Sequence, residues 1–208
     1  MSGSVVVALL APPVWTPPWV DPVAWRVALA EDVVDLISAL ANVDLAIAAP
    51  AGDLWLATAI GWPITPGYEI GPVAAAFEPE PVAAVLAAAQ ADGYERAVVI
   101  CADAPDLPAL LIGKLLAPLT SRSVVLGPAI GGGLFGLASV LPAPAWLPEG
   151  LAAMSRDGQL KVVHAAAGRP TLVATAQPWH RLRTPGDLDR LDRGLEGWDA
   201  TRALLDRD

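Results

Sequence analysis

The sequence predicts an α/β protein, a three-layer αβα sandwich on a mostly parallel sheet. Three observations carry that prediction. Short continuous apolar runs, "SVVVALL" at 4–10, "RAVVIC" at 96–101 and "SVVLGP" at 123–128, have the length and β-branched content of strands buried on both faces. Stretches with apolar residues at helical spacing lie between them, so strands alternate with helices. Apolar residues make up 54% of the chain and charged ones 17%, enough apolar surface for helices to cover a sheet on both sides. A length of 208 residues suits one domain, expected to span 1–208.

The elements follow in order. The first strand ends at Pro12 and Pro13, and "PPVWTPPWVDPVAW" holds too many prolines for a helix interior or a central strand, so it reads as a loop. A helix is expected from about Val23 to Ala41, a second strand at Val43–Pro50 and a weak third at Leu54–Ala59. "GWPITPGYEIGP" reads as loop from its Gly and Pro content, and Pro81 opens an alanine-rich helix to about Ala91. "RAVVIC" is the clearest buried strand. Beyond it come "ADAPDL", a helix over Pro108–Leu119, the strand "SVVLGP", and a tight turn at the triple glycine that leads into a further strand. "RPTLVATA" is a late strand. The last helix is marked by a Thr184 cap, Pro185 in the first turn, Asp187 behind it, and Leu188, Leu191 and Leu195 on one face.

The net charge of −9 argues against general nucleic-acid binding, which needs a cationic field. Arg26 is the sole Lys or Arg before Arg96, whereas the last quarter is rich in arginine. A polyanionic ligand must therefore be held by backbone amides, a metal ion or that C-terminal set. Cys101 is alone, which excludes an intrachain disulfide. The first apolar run has no basic flank and no stretch reaches membrane-spanning length, so the expectation is a soluble cytoplasmic protein with no membrane insertion.

In open α/β sheets ligands sit beyond the carboxyl ends of the strands, where strand order reverses. Asp103 follows such a strand end. It either coordinates a hard divalent cation, which would neutralise a diphosphate, or stabilises its own turn. Asp106 reads as a turn or cap residue. Gly131 to Gly133 either let backbone approach a nucleotide or sugar or form a plain hairpin turn. Trp15, Trp19 and Trp25 stack on a base or sugar, meet a protein partner, or fold back on the core. His164 and His180 have no neighbour at metal-ligand spacing and read as structural.

"VVICADAPDLPALL", then "VVLGPAIGGGLFGL", then "RTPGDLDRL" together resemble a bacterial family of uncharacterised proteins with the glycosyltransferase-A (nucleotide-diphospho-sugar transferase) fold, relatives of the guanylyltransferases of molybdenum-cofactor and phospholactate metabolism. The resemblance is good over 96–138, recurs at 184–191 and is poor before residue 90. It implies a Rossmann-like sheet and a nucleotide or nucleotide-sugar ligand, with glycosyl or nucleotidyl transfer assisted by Mg²⁺ or Mn²⁺. Asp103, Pro105 and Leu107 match the first motif, in which the aspartate holds the metal and serves catalysis. Gly127, Pro128, Gly132 and Gly133 match the second, and Thr184, Pro185, Asp187 and Leu188 the third.

The departures matter as much. Gly131 stands where the family has an aspartate, Arg181 and Arg183 stand where it has two more, and "APPVWTPPWVDP" replaces its basic phosphate-gripping loop. Substrate-binding candidates are thus Pro12, Trp15, Gly132, Gly133, Arg181 and Arg183. The two arginines either meet a phosphate directly or pair with the acids of the last helix. The expected function is a metal-assisted transferase. The alternative is a catalytically degenerate member of the same fold that acts as a binding or assembly protein, a homo-oligomer or a partner of another protein through the Trp/Pro loop.

Overall fold

The computed structural model describes residues 3–61, 67–70, 81–147, 154 and 157–206. Among the described residues, seven strands form one sheet: β1 (Ser4–Leu9), β2 (Asp44–Pro50), β3 (Gly67–Ile70), β4 (Arg96–Cys101), β5 (Val124–Pro128), β6 (Leu134–Val140) and β7 (Val173–Thr175). The helices are α1 (Pro22–Ser38), α2 (Trp55–Ala59), α3 (Pro81–Ala91), α4 (Ala109–Leu116), α5 (Gln159–Ala167) and α6 (Asp199–Leu205).

The sheet order is β3-β2-β1-β4-β6-β5-β7, with β6 antiparallel to both neighbours and the other pairs parallel. Chain order runs outward from β1 to β3 on one side, and β4 to β7 lie on the other, with β6 set between β4 and β5, so the reversal lies between β1 and β4. Their register sets Leu9 opposite Cys101. The loops leaving them, 10–21 and 102–108, therefore part at a crevice, as open α/β sheets require.

Alternation along β1 explains the three layers. Val5, Val7 and Leu9 pack with Val82, Val85 and Leu86 of α3, while Val6, Ala8 and Leu10 join Val33 and Val34 of α1 and Ile112 and Leu115 of α4. Every residue of β1 is buried, so a strand without polar alternation is what this position needs. A third cluster of Val20, Trp25, Leu29 and Leu182 ties the Pro/Trp loop and α1 to the C-terminal segment.

The long helices and strands match the sequence expectations to within a few residues. Asp21 caps α1 by accepting from the Ala24 amide at 2.8 Å, and Pro22 occupies its first position. Three expectations need correction. Leu54–Ala59 is not a strand: Trp55–Ala59 is helical, entered through a 3-10 turn at Ala51–Asp53, with Leu56 and Ala57 buried as neighbours on a helix face. The third strand is instead Gly67–Ile70, inside the stretch read as loop; residues 62–66 and 71–72 of that stretch lie outside the described residues. The helix expected after Thr184 is only a 3-10 turn, Pro185–Arg190.

That last difference has a local cause. Leu191 turns extended, the Asp192 amide donates to Asp106 Oδ2 at 3.2 Å, and Gly197 adopts φ 91°, so the chain is drawn off the helical path. The true final helix, α6, is held by α1: buried Asp32 accepts from the amides of Ala200 (3.0 Å) and Thr201 (2.9 Å) at its start.

Gly127 and Gly136 face each other across the β5–β6 pair. A Cβ on Gly127 would lie 2.7 Å from the Phe135 ring, and Phe135 is fully buried. Gly127→Ala is therefore expected to cost about 1–3 kcal/mol, the range for overpacking a full core. A lowered urea midpoint at unchanged slope would register it, and an unchanged midpoint would contradict the packing account.

Burial pushes the Asp32 carboxyl up to about 6 from an ordinary 3.8, against the opposing hydrogen bonds from Thr201 and Ala200. The folded chain then holds this proton more tightly than the unfolded chain, so the associated stability is full below about pH 4 and is lost as pH rises through about 6. Relative to Asp32→Asn, the wild type is expected to lose about 3 kcal/mol between pH 4 and 7, taking ~1.4 kcal/mol per pK unit. Urea unfolding across that range checks it; a constant difference between the two proteins would count against it.

Candidate functional site

Asp103 lies two residues past β4 and Arg181 lies in the segment that returns beside the β5–β6 turn. The backbone brings them together first. The Leu182 amide donates to the Asp103 carbonyl at 2.7 Å, and Trp179 pairs with Ala129 through the bonds Trp179 N to Pro128 O (3.0 Å) and Ile130 N to Trp179 O (2.8 Å). With the chain so laid, Arg181 reaches inward.

Its Nε donates to Asp103 Oδ1 at 2.7 Å and its Nη2 to Asp103 Oδ2 at 2.9 Å. On the other side its Nη1 donates to the carbonyls of Leu134 (2.9 Å) and Met154 (3.3 Å). Both residues are deeply buried, Asp103 6% and Arg181 7% exposed, so the pair is shielded from competing water. Burial opposes the guanidinium charge, but the Asp103 carboxylate overrides that cost and raises the Arg181 pKa further. The two groups form a closed ion pair. Removing either alone would strand the other charge, at about 3–5 kcal/mol.

The second arginine is used differently. Arg183 Nη2 donates to the Gly132 carbonyl at 2.8 Å and approaches that of Ile130 at 3.4 Å, bracing the turn from outside. Gly131, Gly132 and Gly133 have φ of 85°, 108° and 71°, the left-handed region in which glycine is favoured. The Asp157 carboxylate sits against Gly132, where a Cβ would overlap it. The Asp187 carboxyl accepts from the amides of Arg183 (3.0 Å) and Thr184 (2.8 Å) and from the Thr184 hydroxyl (2.8 Å). Burial would raise its pKa, but these bonds hold it below the usual carboxylate range.

Asp106 is an anchor between distant parts of the chain and not a cap of α4, whose N-terminal boundary residue is Pro108. It accepts from Trp179 Nε1 at 3.2 Å and from the Asp192 amide at 3.2 Å. His180 Nε2 lies 2.9 Å from its Oδ1, off the direction of an aligned hydrogen bond, and the His180 ring stacks on Trp179 at 4.9 Å. His180, read as structural in the sequence, is buried against Asp106 and Trp179.

A narrow crevice opens at the strand-order reversal, lined by Leu10 and Pro13 after β1, Arg26 and Leu29 of α1, and Ala102 and Asp103 after β4. Arg26 is the residue that sequence reasoning missed, although its standing as the lone early cation was the signal. It forms a two-point pair with Asp53, Nη1 to Oδ1 at 2.9 Å and Nη2 to Oδ2 at 2.8 Å, and lies 5.7 Å from the centre of the Trp55 ring. Trp15 is half-buried, edge-on to buried Trp25 at 6.4 Å, and its carbonyl accepts from Trp25 Nε1. Pro12 is exposed beside the lining residue Pro13, and Trp19 is 62% exposed.

Of the candidate residues, then, Asp103 joins Arg181, and Gly132 joins Arg183; Pro12 and Trp15 belong to the opposite loop. A divalent cation at Asp103 needs carboxylate lone pairs and further oxygen donors. Both Asp103 oxygens instead accept from Arg181, and among the described residues no group of three or more His, Cys, Asp or Glu converges to hold a metal ion. The side chains around Asp103 do not fit a divalent cation while Arg181 is in place.

A family described as "Uncharacterized protein conserved in bacteria (DUF2064)" matches residues 74–150, the stretch that carries β4, Asp103 and the glycine turn. No curated protein matches. Among solved structures, a Desulfovibrio desulfuricans G20 protein provisionally named nucleotide-diphospho-sugar transferase aligns with TM-score 0.73 at 18% identity, covering 98% of this chain and 95% of its own. A CMP:2-keto-3-deoxy-manno-octonic acid synthetase complexed with CTP aligns with TM-score 0.60 at 10% identity, covering 90% and 95%. Glucosyl-3-phosphoglycerate synthase from Mycobacterium tuberculosis, in complex with Mn²⁺, UDP and glucosyl-3-phosphoglycerate, aligns with TM-score 0.56 at 18% identity, covering 98% and 78%. At such identities the likeness is one of fold, and the fold is the Rossmann-like glycosyltransferase-A type of the nucleotidyl- and glycosyltransferases.

Proposed function

We propose that this chain is a soluble, cytoplasmic, single-domain binding or assembly protein on a glycosyltransferase-A framework, one that does not run metal-assisted transfer through Asp103. One observation carries the proposal: both oxygens of Asp103 are engaged by buried Arg181. In a metal-assisted transfer the cation stabilises the departing diphosphate. With Asp103 closed off, that charge would fall to Arg26 at the crevice, and Asp53 already neutralises it.

The position of the crevice, more than its volume of about 10 Å³, supports a binding role. Its walls are apolar apart from Arg26 and Asp103, and it lies at the position where open α/β sheets take ligands. A nucleotide or nucleotide-sugar is the ligand class favoured by the fold, held through its base or sugar more than through its phosphates. Val14 and Trp19, 70% and 62% exposed on the same proline-rich loop, supply apolar surface for a protein contact or self-association. A metal-assisted glycosyl or nucleotidyl transferase is the second reading, favoured by the placement of Asp103 at the crevice wall.

The two separate in one experiment. Thermal stability is measured with CTP, UDP and UDP-sugars, each with Mg²⁺, with Mn²⁺ and with EDTA, alongside assays for released diphosphate or nucleoside diphosphate. Binding raises the unfolding temperature. The expected outcome is that any ligand-induced rise survives EDTA and no product forms. Metal-dependent turnover that disappears in a folded Asp103→Asn variant would establish the transferase instead.

A further inference from the structure

Four oxygens converge on the Arg181 guanidinium from three parts of the chain: both carboxylate oxygens of Asp103 after β4, the Leu134 carbonyl at the start of β6, and the Met154 carbonyl. A fifth bond couples two of those parts, the Leu134 amide donating to the Met154 carbonyl at 2.7 Å. We propose that this is a cation-binding cage specific for a planar guanidinium group, permanently filled by the chain's own Arg181, which stands as a tethered cation in place of a free ion. The proposal does not depend on the crevice taking a nucleotide.

Charge and shape both support it. The cage carries one formal negative charge, from Asp103, and four hard oxygen acceptors, a set that demands a cation once it is buried. Guanidinium N–H bonds lie in one plane and form a rigid fork, so the acceptors that receive them sit around its rim. Here Nε and Nη2 meet the carboxylate side-on while Nη1 meets the two carbonyls. Oxygens placed for such a rim stand farther from the centre than the ~2.1 Å that Mg²⁺ demands. A lysine would offer one ammonium where the cage presents acceptors on two sides.

An Arg181→Ala protein removes the occupant and keeps all four acceptor groups, and chemical complementation tests the cage. Its unfolding temperature is expected to fall below that of the wild type and to recover by about half or more in millimolar guanidinium chloride, since a ligand of the native state stabilises it. Equal concentrations of NaCl or urea should give no recovery, and the Asp103→Ala/Arg181→Ala double variant should not respond to guanidinium. Equal guanidinium responses in the single and double variants would overturn the proposal, as would recovery of Arg181→Ala with Mn²⁺ but not with guanidinium. Where Arg181→Ala does not fold, the wild type supplies the test through Mn²⁺-induced water-proton relaxation. A filled cage predicts no Mn²⁺ uptake that depends on Asp103; stoichiometric uptake lost in Asp103→Asn would overturn it.

Discussion

The two-point pair between Asp103 and Arg181 is the constraint on which the rest of the site depends. It closes a carboxylate that strand β4 delivers to the edge of the sheet, and it does so from a segment 78 positions later in the chain. The same guanidinium fastens the start of β6 and the Met154 carbonyl, so one side chain fixes several loops at once. Metal ions commonly perform this task in sheet-edge sites, by drawing carboxylates from separate loops onto one charge. A tethered guanidinium performs it without exchange with solvent.

The surrounding polar contacts work in the same direction. Asp106 gathers Trp179, His180 and the Asp192 backbone, Arg183 braces the glycine turn, and Asp187 folds the Thr184 turn back on itself. Each of these acids and arginines is spent on a neighbour within the chain. The result is a cross-linked carboxyl edge facing a loop of prolines and tryptophans, with the crevice residue Arg26 paired to Asp53. The charged side chains named here are thereby paired within the chain.

Much of the sheet was legible in the sequence because its central strands are buried on both faces, and a continuous apolar run such as Ser4–Leu9 has few other fates. Asp21 and Pro22, read as part of the loop, prove to be the cap and the first residue of α1. The edges were less legible. Gly67–Ile70 looks like loop from its glycine and its flanking prolines, and its strand character comes from pairing with β2. Trp55–Ala59 is too short for its period to be distinguished from a strand.

The site was legible in part for a different reason. Strand ends and the arginines at 181 and 183 identify themselves, and their departure from an aspartate-rich pattern signalled a change of sign. Which partner each arginine takes depends on how the return segment lies against the β5–β6 turn, and no local pattern encodes that register. Asp106 shows the same limit: it has the composition of a turn residue, and its three contacts all come from residues 73 or more positions away.

The most direct measurement is a crystal structure of the wild-type protein soaked with MnCl₂ and UDP, with anomalous scattering recorded at the manganese edge. The account predicts both Arg181–Asp103 hydrogen bonds in place and no anomalous peak within coordination distance of either Asp103 oxygen. A manganese ion bound to Asp103, with Arg181 displaced from it, would contradict the account.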